Sequence, residues 1–193
     1  MLESYSGATR VYFVLGHPIA QVKAPSGMTR MFEQSGIDAI VVPIDVQPAD
    51  FPAFFKAVAP LRNVDGFAVT IPHKFSAAAQ CSSLSERSRL LGSTNIVRRN
   101  DDRTWHGDML DGIGAVAAMR AKGCIFEGAR ALLVGAGGAG SAIGLDFLAA
   151  GVDTLAIHDI DTVRRDSLIA RLSQRYPGKA VVGSADPSGF AII

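Results

Sequence analysis

The sequence is poor in the features that mark several protein classes. It holds two cysteines in 193 residues, Cys81 and Cys124, with no CxxC and no paired framework. That excludes a disulfide scaffold and fits a reduced, cytoplasmic setting. Both thiols are expected as small core or surface residues. The formal net charge is +1, so bulk electrostatics imply no polyanionic partner and no nucleic acid. No apolar run reaches membrane-spanning length, and the start Met1-Leu2-Glu3-Ser4-Tyr5 is not a secretory signal, so no membrane partner is expected. His17, His73, His106 and His158 show no ligand spacing, and no metal is expected. No internal repeat or low-complexity tract stands out.

What is present is apolar and periodic. Hydrophobic residues make up 48% of the chain, enough for a real core in one large domain or two small ones. Arg10 to Leu15 reads as a strand. Pro25 to Gln34 reads as a helix with Met28, Met31 and Phe32 on one face, ended by Gly36. Ala39 to Ile44 is a short strand, Pro48 to Val58 a helix, Gly66 to Thr70 a strand. Leu84 to Leu91 reads as a helix. Asn95 to Arg99 and Arg103 to His106 form a hairpin, and Asp111 to Lys122 is a helix. After Gly128 strands and helices alternate at βαβ spacing, which makes the class α/β. Two domains are expected: 1–122, a substrate-binding and catalytic α/β domain, and 123–193, a Rossmann-type dinucleotide-binding domain.

The second of these holds the sharpest motif. Gly135-Ala136-Gly137-Gly138-Ala139-Gly140 lies between the apolar run 131–134 and the helical run 142–150. A strand feeding a helix through G-x-G-x-x-G is the dinucleotide fingerprint. Gly135 permits the tight turn, Gly137 lets the backbone approach a pyrophosphate, and Gly140 lets helix and strand pack closely. The helix start offers N–H groups to the phosphates. The alternative is a tight turn with no ligand. Asp159 ends the next strand, 24 positions after Gly135. A carboxylate there accepts from the adenosine ribose hydroxyls and repels a 2′-phosphate, and no Arg stands beside it in Ile160-Asp161-Thr162. NAD is therefore expected over NADP. Asp161 suits the N-cap of the following helix. Ala180 to Val182 and Phe190 to Ile193 read as the last strands. Only the first mononucleotide half of a dinucleotide domain is here, so the chain is expected to be a truncated form.

In the first domain, Val69-Thr70-Ile71-Pro72-His73-Lys74 puts a lysine just past a strand end, where function concentrates. Asp111 stands at the entrance of a helix, and Asn95 follows Gly92-Ser93-Thr94. Singly, each has a plain reading: Lys74 a solvated surface lysine, Asp111 an N-cap, Asn95 a turn residue.

Together with Gly16-His17-Pro18-Ile19-Ala20, Gly107 to Gly114 and Gly135 to Gly140, these segments resemble the shikimate dehydrogenase family, including its quinate/shikimate members. The resemblance runs from Val11 to Ile193. It implies a reversible hydride transfer between a nicotinamide cofactor and shikimate/3-dehydroshikimate or quinate. It implies Lys74 and Asp111 as the catalytic pair, with Thr70 and Asn95 contacting substrate. Lys74 would take the hydroxyl proton in oxidation and return it in reduction. The family's S-x-S-P carboxylate clamp falls on Val22-Lys23-Ala24-Pro25, so the substrate-binding positions Val22 and Ala24 lack hydroxyls. Lys23, Gln21 and Ser26 are the candidates to replace them. The family's Asn before V-T is Ala68, and its Asn-Thr before Asp-Gly is Met109-Leu110. The family's Asn-Arg-Thr, whose Arg clamps a 2′-phosphate, aligns with Asp159-Ile160-Asp161 and resembles the NAD-using members. Two other readings stay open: a paralogue acting on another cyclic polyol or hydroxy acid, and a non-catalytic nucleotide-binding module. The expected partner is a small-molecule substrate, and a homodimer stays open.

Overall fold

The computed structural model describes residues 5–193. Met1–Ser4, at the start where no secretory signal is read, lie outside them. The chain divides into two compact units, the first ending at Asp108 and the second beginning at Met109.

The first unit runs β1 (Arg10–Gly16), α1 (Ala24–Gln34), β2 (Ala39–Asp45), α2 (Phe51–Val58), β3 (Val64–Val69), α3 (Lys74–Gln80), β4 (Ser83–Leu84), α4 (Glu86–Leu91), β5 (Ile96–Arg99) and β6 (Trp105–Asp108). Its six strands lie in the order β2-β1-β3-β5-β6-β4. β1 is parallel to both β2 and β3, whereas the expected hairpin of β5 and β6 is antiparallel. Chain order thus reverses at β1, with β2 on one side and β3 on the other.

Local sequence explains most of these elements. Proline near the start of α2 presets its first turn, and Phe51, Phe55 and Val58 recur at helical spacing and are buried. Phe55 packs edge-on to Phe67 at 5.2 Å and to Trp105 at 5.8 Å between ring centroids. These rings, with Leu15, Val69 and Ala77, form the core of the unit. Ser85 caps α4 by accepting from the Ser88 N–H at 3.1 Å, and Gly92, at φ 66°, ends it. On α1 the expected face is shifted: Met31 is exposed, and the buried residues are Pro25 and Thr29. The Thr29 hydroxyl accepts from the Val41 N–H at 3.0 Å, tying α1 to β2.

The second unit runs α5 (Asp111–Arg120), β7 (Arg130–Val134), α6 (Gly138–Ala149), β8 (Thr154–His158), α7 (Thr162–Ser173) and β9 (Ala180–Val182). β7, β8 and β9 form a parallel sheet in that order. The sequence reading places the domain boundary after Lys122, whereas α5 groups with the second unit. The reason is a close approach at Gly112, where a side chain would collide with the Ala142 carbonyl oxygen and the Asp146 carboxylate of α6. The strand expected over Phe190 to Ile193 is a single bridge of Ile192 to Ala131, on the edge of β7 opposite β8. The Phe190 N–H turns back to the Pro187 carbonyl at 3.3 Å, which keeps Phe190 out of the pairing. Among the described residues no helix is long and apolar enough to cross a membrane.

Phe55 lies at the centre of the first core. Phe55→Ala is expected to lower the stability of this unit by about 3–5 kcal/mol. Urea unfolding followed by the fluorescence of Trp105, which the Phe55 ring touches, checks this.

Candidate functional site

In the first unit a candidate site gathers at the carboxyl ends of β1 and β3. The loops after the two strands are laid on each other: the Thr70 N–H donates to the Leu15 carbonyl at 2.8 Å, and the His17 N–H to the Ile71 carbonyl at 2.9 Å. Gly16 is required there, since a Cβ would come within 2.5 Å of Thr70 Cγ2 and 2.9 Å of Ile19 Cδ1. The chain then enters α3, whose first residue is Lys74. The Lys74 carbonyl accepts from the Thr94 N–H at 3.0 Å, and the Asn95 carbonyl accepts from the Val69 N–H at 2.7 Å. The Asn95 N–H in turn donates to the Asp108 carbonyl at 3.0 Å. These bonds bring Thr70, Lys74 and Asn95 to one end of one sheet.

Each plain reading of these residues meets an obstacle. Lys74 is 8% exposed, so it is no solvated surface lysine; burying an ammonium is costly unless its surroundings hold it. Asn95 bonds β3 on one side and the end of β6 on the other, so it is no turn residue. In the second unit the N-cap of α5 is Leu110, and Asp111 is the first helical residue.

His73 backs the lysine. It is 1% exposed, stacks on Phe51 at 4.4 Å and places Nε2 2.8 Å from the Val46 carbonyl, to which it donates. Burial holds its pKa below the ordinary 6.5, with a small further lowering from His17 and opposing contributions from the Val46 bond and Asp45. Val22 is half-buried in the preceding loop, and Ala24, the first residue of α1, is exposed. Of the three residues expected to replace the missing hydroxyls, two are engaged locally, Gln21 in that loop and Ser26 in the first turn of α1. The Gln21 amide donates to the Pro18 carbonyl at 2.8 Å, and the Ser26 hydroxyl to the Lys23 carbonyl at 3.2 Å. The Cys81 thiol, pushed up to about 12 by burial, offers no nucleophile.

A separate candidate site lies in the second unit, where β7 gives way to α6. Gly135 sits at φ 103°, a left-handed conformation that favours glycine, and its N–H donates to the His158 carbonyl at 2.8 Å. A side chain at Gly140 would collide with the Gly135 carbonyl oxygen, so the helix returns close over the turn. Gly137 and Gly138 begin the helix with no side-chain cap, and a Cβ at Gly137 would meet nothing within 4 Å. Open space beside uncapped N–H groups fits a pyrophosphate. Ala136 and Ala139 complete the turn. The Ser141 hydroxyl closes it by donating to the Ala136 carbonyl at 3.1 Å.

Asp159 sits under this turn. Its carboxylate accepts from the Ala136 N–H at 2.7 Å and from the Asp161 N–H at 2.8 Å. The bond from Ala136 first, then that from Asp161, holds its pKa below the usual carboxylate range. Asp161 caps α7 as expected, accepting from the Arg164 N–H at 3.0 Å. The Arg164 guanidinium lies 3.0 Å from the Asp161 carboxylate and 3.7 Å from that of Asp159. Sequence reasoning missed Arg164. The signal was its i+3 spacing from the cap, which folds the first turn of α7 back over the strand end.

Comparison with known proteins follows this geometry. Residues 14–97 match the model of the shikimate dehydrogenase substrate binding domain. A shikimate dehydrogenase (NADP(+)) of Stenotrophomonas maltophilia strain R551-3 is 39% identical over 171 residues, covering 88% of this chain and 59% of that protein. One of Xanthomonas euvesicatoria pv. vesicatoria, also named for NADP(+), is 37% identical over 172 residues, covering 86% of this chain and 60% of that protein. The chain thus spans about three-fifths of the length of these curated relatives. Among solved structures, shikimate 5-dehydrogenase of Listeria monocytogenes, in complex with shikimate and NAD, superposes with a TM-score of 0.85 at 22% identity. That match covers 95% of this chain and 64% of that one.

The relatives correct the expected preference for NAD, because both are named for NADP(+). The structure supplies a physical reason. The Asp159 carboxylate, expected to face the ribose as an uncompensated charge, is already met by two backbone donors and a guanidinium.

The buried His73 makes the first unit sensitive to acid. Its folded pKa is depressed, so the folded state binds fewer protons than the unfolded state. Its contribution to stability is complete above pH 6.5, the ordinary value, and is lost as pH falls below it toward the folded pKa. Urea midpoints read through Trp105 are expected to fall between pH 7.5 and pH 5. The fall should be shallower in His73→Gln, which keeps a donor for Val46 and does not titrate.

Proposed function

The chain belongs to the shikimate dehydrogenase family, and we propose that it works as an oxidoreductase of that type, interconverting a ring alcohol and its ketone. The substrate class is shikimate/3-dehydroshikimate or quinate. The observation that carries this reading is the buried Lys74, clamped through its carbonyl to Thr94 at the start of α3, with Thr70 and Asn95 held at the same sheet end.

A nicotinamide dinucleotide, when bound, takes or supplies the hydride. The protein's own groups do the rest. The turn from Gly135 to Gly140 and the first N–H groups of α6 hold the pyrophosphate. Lys74 Nζ takes the proton of the alcohol as the carbonyl forms and returns it on reduction. Asp111 accepts a hydrogen bond from a ring hydroxyl and is the second member of the catalytic pair. Thr70 and Asn95 orient the ring. The first unit supplies Lys74, Thr70 and Asn95, and the second supplies Asp111 and the cofactor turn. Following the names of the relatives, the cofactor is assigned as NADP, with Arg164 meeting the 2′-phosphate.

One observation favours a second reading. Val22, Ala24 and Ala68 are all apolar where the family pattern has polar groups, which suits a paralogue for another cyclic polyol or hydroxy acid. A substrate panel of shikimate, quinate and related polyols separates the two.

Lys74→Ala is expected to lower turnover on the accepted substrate by roughly 10²-fold or more, with KM little changed. Asp111→Asn should also impair turnover. Intact turnover in Lys74→Ala would overturn the assignment. Arg164→Ala is expected to weaken NADP binding by about tenfold, the size of one charge-assisted contact. Fluorescence titration with NADP measures it, and unchanged affinity would remove Arg164 from the site.

A further inference from the structure

One pair of side chains at the substrate end of the first unit has no part in the chemistry above. His17 directly follows β1, the strand at which chain order reverses. In open α/β sheets, ligands bind outside the carboxyl ends of the strands at that reversal. The backbone bond from His17 to Ile71, and the contact Gly16 permits with Thr70, lay the His17 loop against the residues that lead into Lys74. The His17 backbone is therefore laid beside the segment that leads into Lys74, while its ring reaches to Asp45 at the end of β2.

The imidazole is held. Its Nδ1 lies 2.8 Å from the Asp45 carboxylate at the end of β2. With Nδ1–H donated to Asp45, the ring orientation is fixed and Nε2 is its remaining polar atom. Both act on the buried His73, His17 lowering and Asp45 raising its pKa. The same loop and the first turn of α1 carry the two residues without hydroxyls, Val22 and Ala24, and two of their three candidate replacements, Gln21 and Ser26, are already bonded locally.

We propose that His17, oriented by Asp45, is a specificity-determining residue that donates from Nε2 to the substrate carboxylate, in place of the hydroxyls absent at Val22 and Ala24. A ring carrying both protons donates to Asp45 from one nitrogen and to the substrate from the other, and both are charge-assisted bonds. Asp45 is a positioning residue and does not touch the substrate. The inference rests on the functional reading above.

The test compares an acid with its neutral ester. Dissociation constants of shikimate and methyl shikimate are measured by calorimetry for the unaltered chain, His17→Ala, His17→Asn and Asp45→Asn. The Trp105 emission of each variant serves as the check of folding. The unaltered chain is expected to prefer the acid by about tenfold, one charge-assisted contact. His17→Ala should lose that preference while the ester binds as before. His17→Asn, which keeps a donor, should recover part of it, and Asp45→Asn should lose part of it. Adding Val22→Ser and Ala24→Ser to His17→Ala should restore it. A preference for the acid that survives His17→Ala, or an equal loss for acid and ester, overturns the inference and leaves the functional reading standing. Binding of neither ligand to the unaltered chain overturns both.

Discussion

A few backbone hydrogen bonds at one end of the first sheet hold its functional half together. Thr70 to Leu15 and His17 to Ile71 join the loops after β1 and β3. Val69 to Asn95 joins β3 to the segment before β5, and Thr94 to Lys74 fastens that segment to α3. None of these bonds involves a side chain. Each ties residues far apart in sequence, so together they fix positions that local propensity does not. The side chains of Thr70, Lys74 and Asn95 inherit that precision, as a site mounted on rigid elements requires. Gly16 is part of the same constraint: any larger residue would press on Thr70 and part the two loops.

The second unit reaches comparable rigidity by another route. Its turn is shaped by glycines, Gly135 for its dihedral angle and Gly140 for the close approach of α6, and is then braced from below by Asp159. An aspartate at the end of the second strand can serve a ligand or the loop that cradles one. Here its bonds to Ala136 and Asp161 make it a brace for the glycine turn. That also explains why charge counting along the sequence misjudged the cofactor. A carboxylate with two backbone donors and a guanidinium within 3.7 Å does not present a full negative charge to what lies beyond it.

The legible parts of the sequence were those with strong periodicity or strong punctuation. β8 falls at Thr154–His158 as read, and the hairpin of β5 and β6 and the glycine turn into α6 stand within a few residues of their expected places. α3 was not read at all. It follows Ile71-Pro72-His73, is seven residues long, and its small Ala77 and Ala78 give little apolar contrast. β4 is two residues and exists only through pairing with β6, which no local pattern encodes. On α1 Met28 and Phe32 are half-buried as read, with Phe32 stacked on Tyr12, but the face turns toward Thr29, a polar residue whose hydroxyl is matched to the Val41 N–H, and leaves Met31 exposed. The partners His17–Asp45 and Arg164–Asp159 were invisible for the same reason. The first is set by neighbouring strand ends, the second by the return of a helix over a strand end.

Placement of Lys74 bears on how the site tolerates its apolar substitutions. Val22 lies in the loop before α1 and Ala24 opens that helix, a junction held by two side-chain bonds, Gln21 to the Pro18 carbonyl and Ser26 to the Lys23 carbonyl. The loop therefore holds its shape without the hydroxyls that the family pattern puts there. Ala68 sits on β3, where Val69 and Phe67 face the core and the backbone bonds run on to β1 and β5. Losing a polar side chain there leaves the ladder intact. The apolar residues at these positions thus leave undisturbed the bonds that position Lys74, Thr70 and Asn95. The two are structurally separable in this unit: the loop after β1 can vary in sequence while the lysine stays fixed by Thr94, which is what the proposed function would need to change its substrate and keep its chemistry.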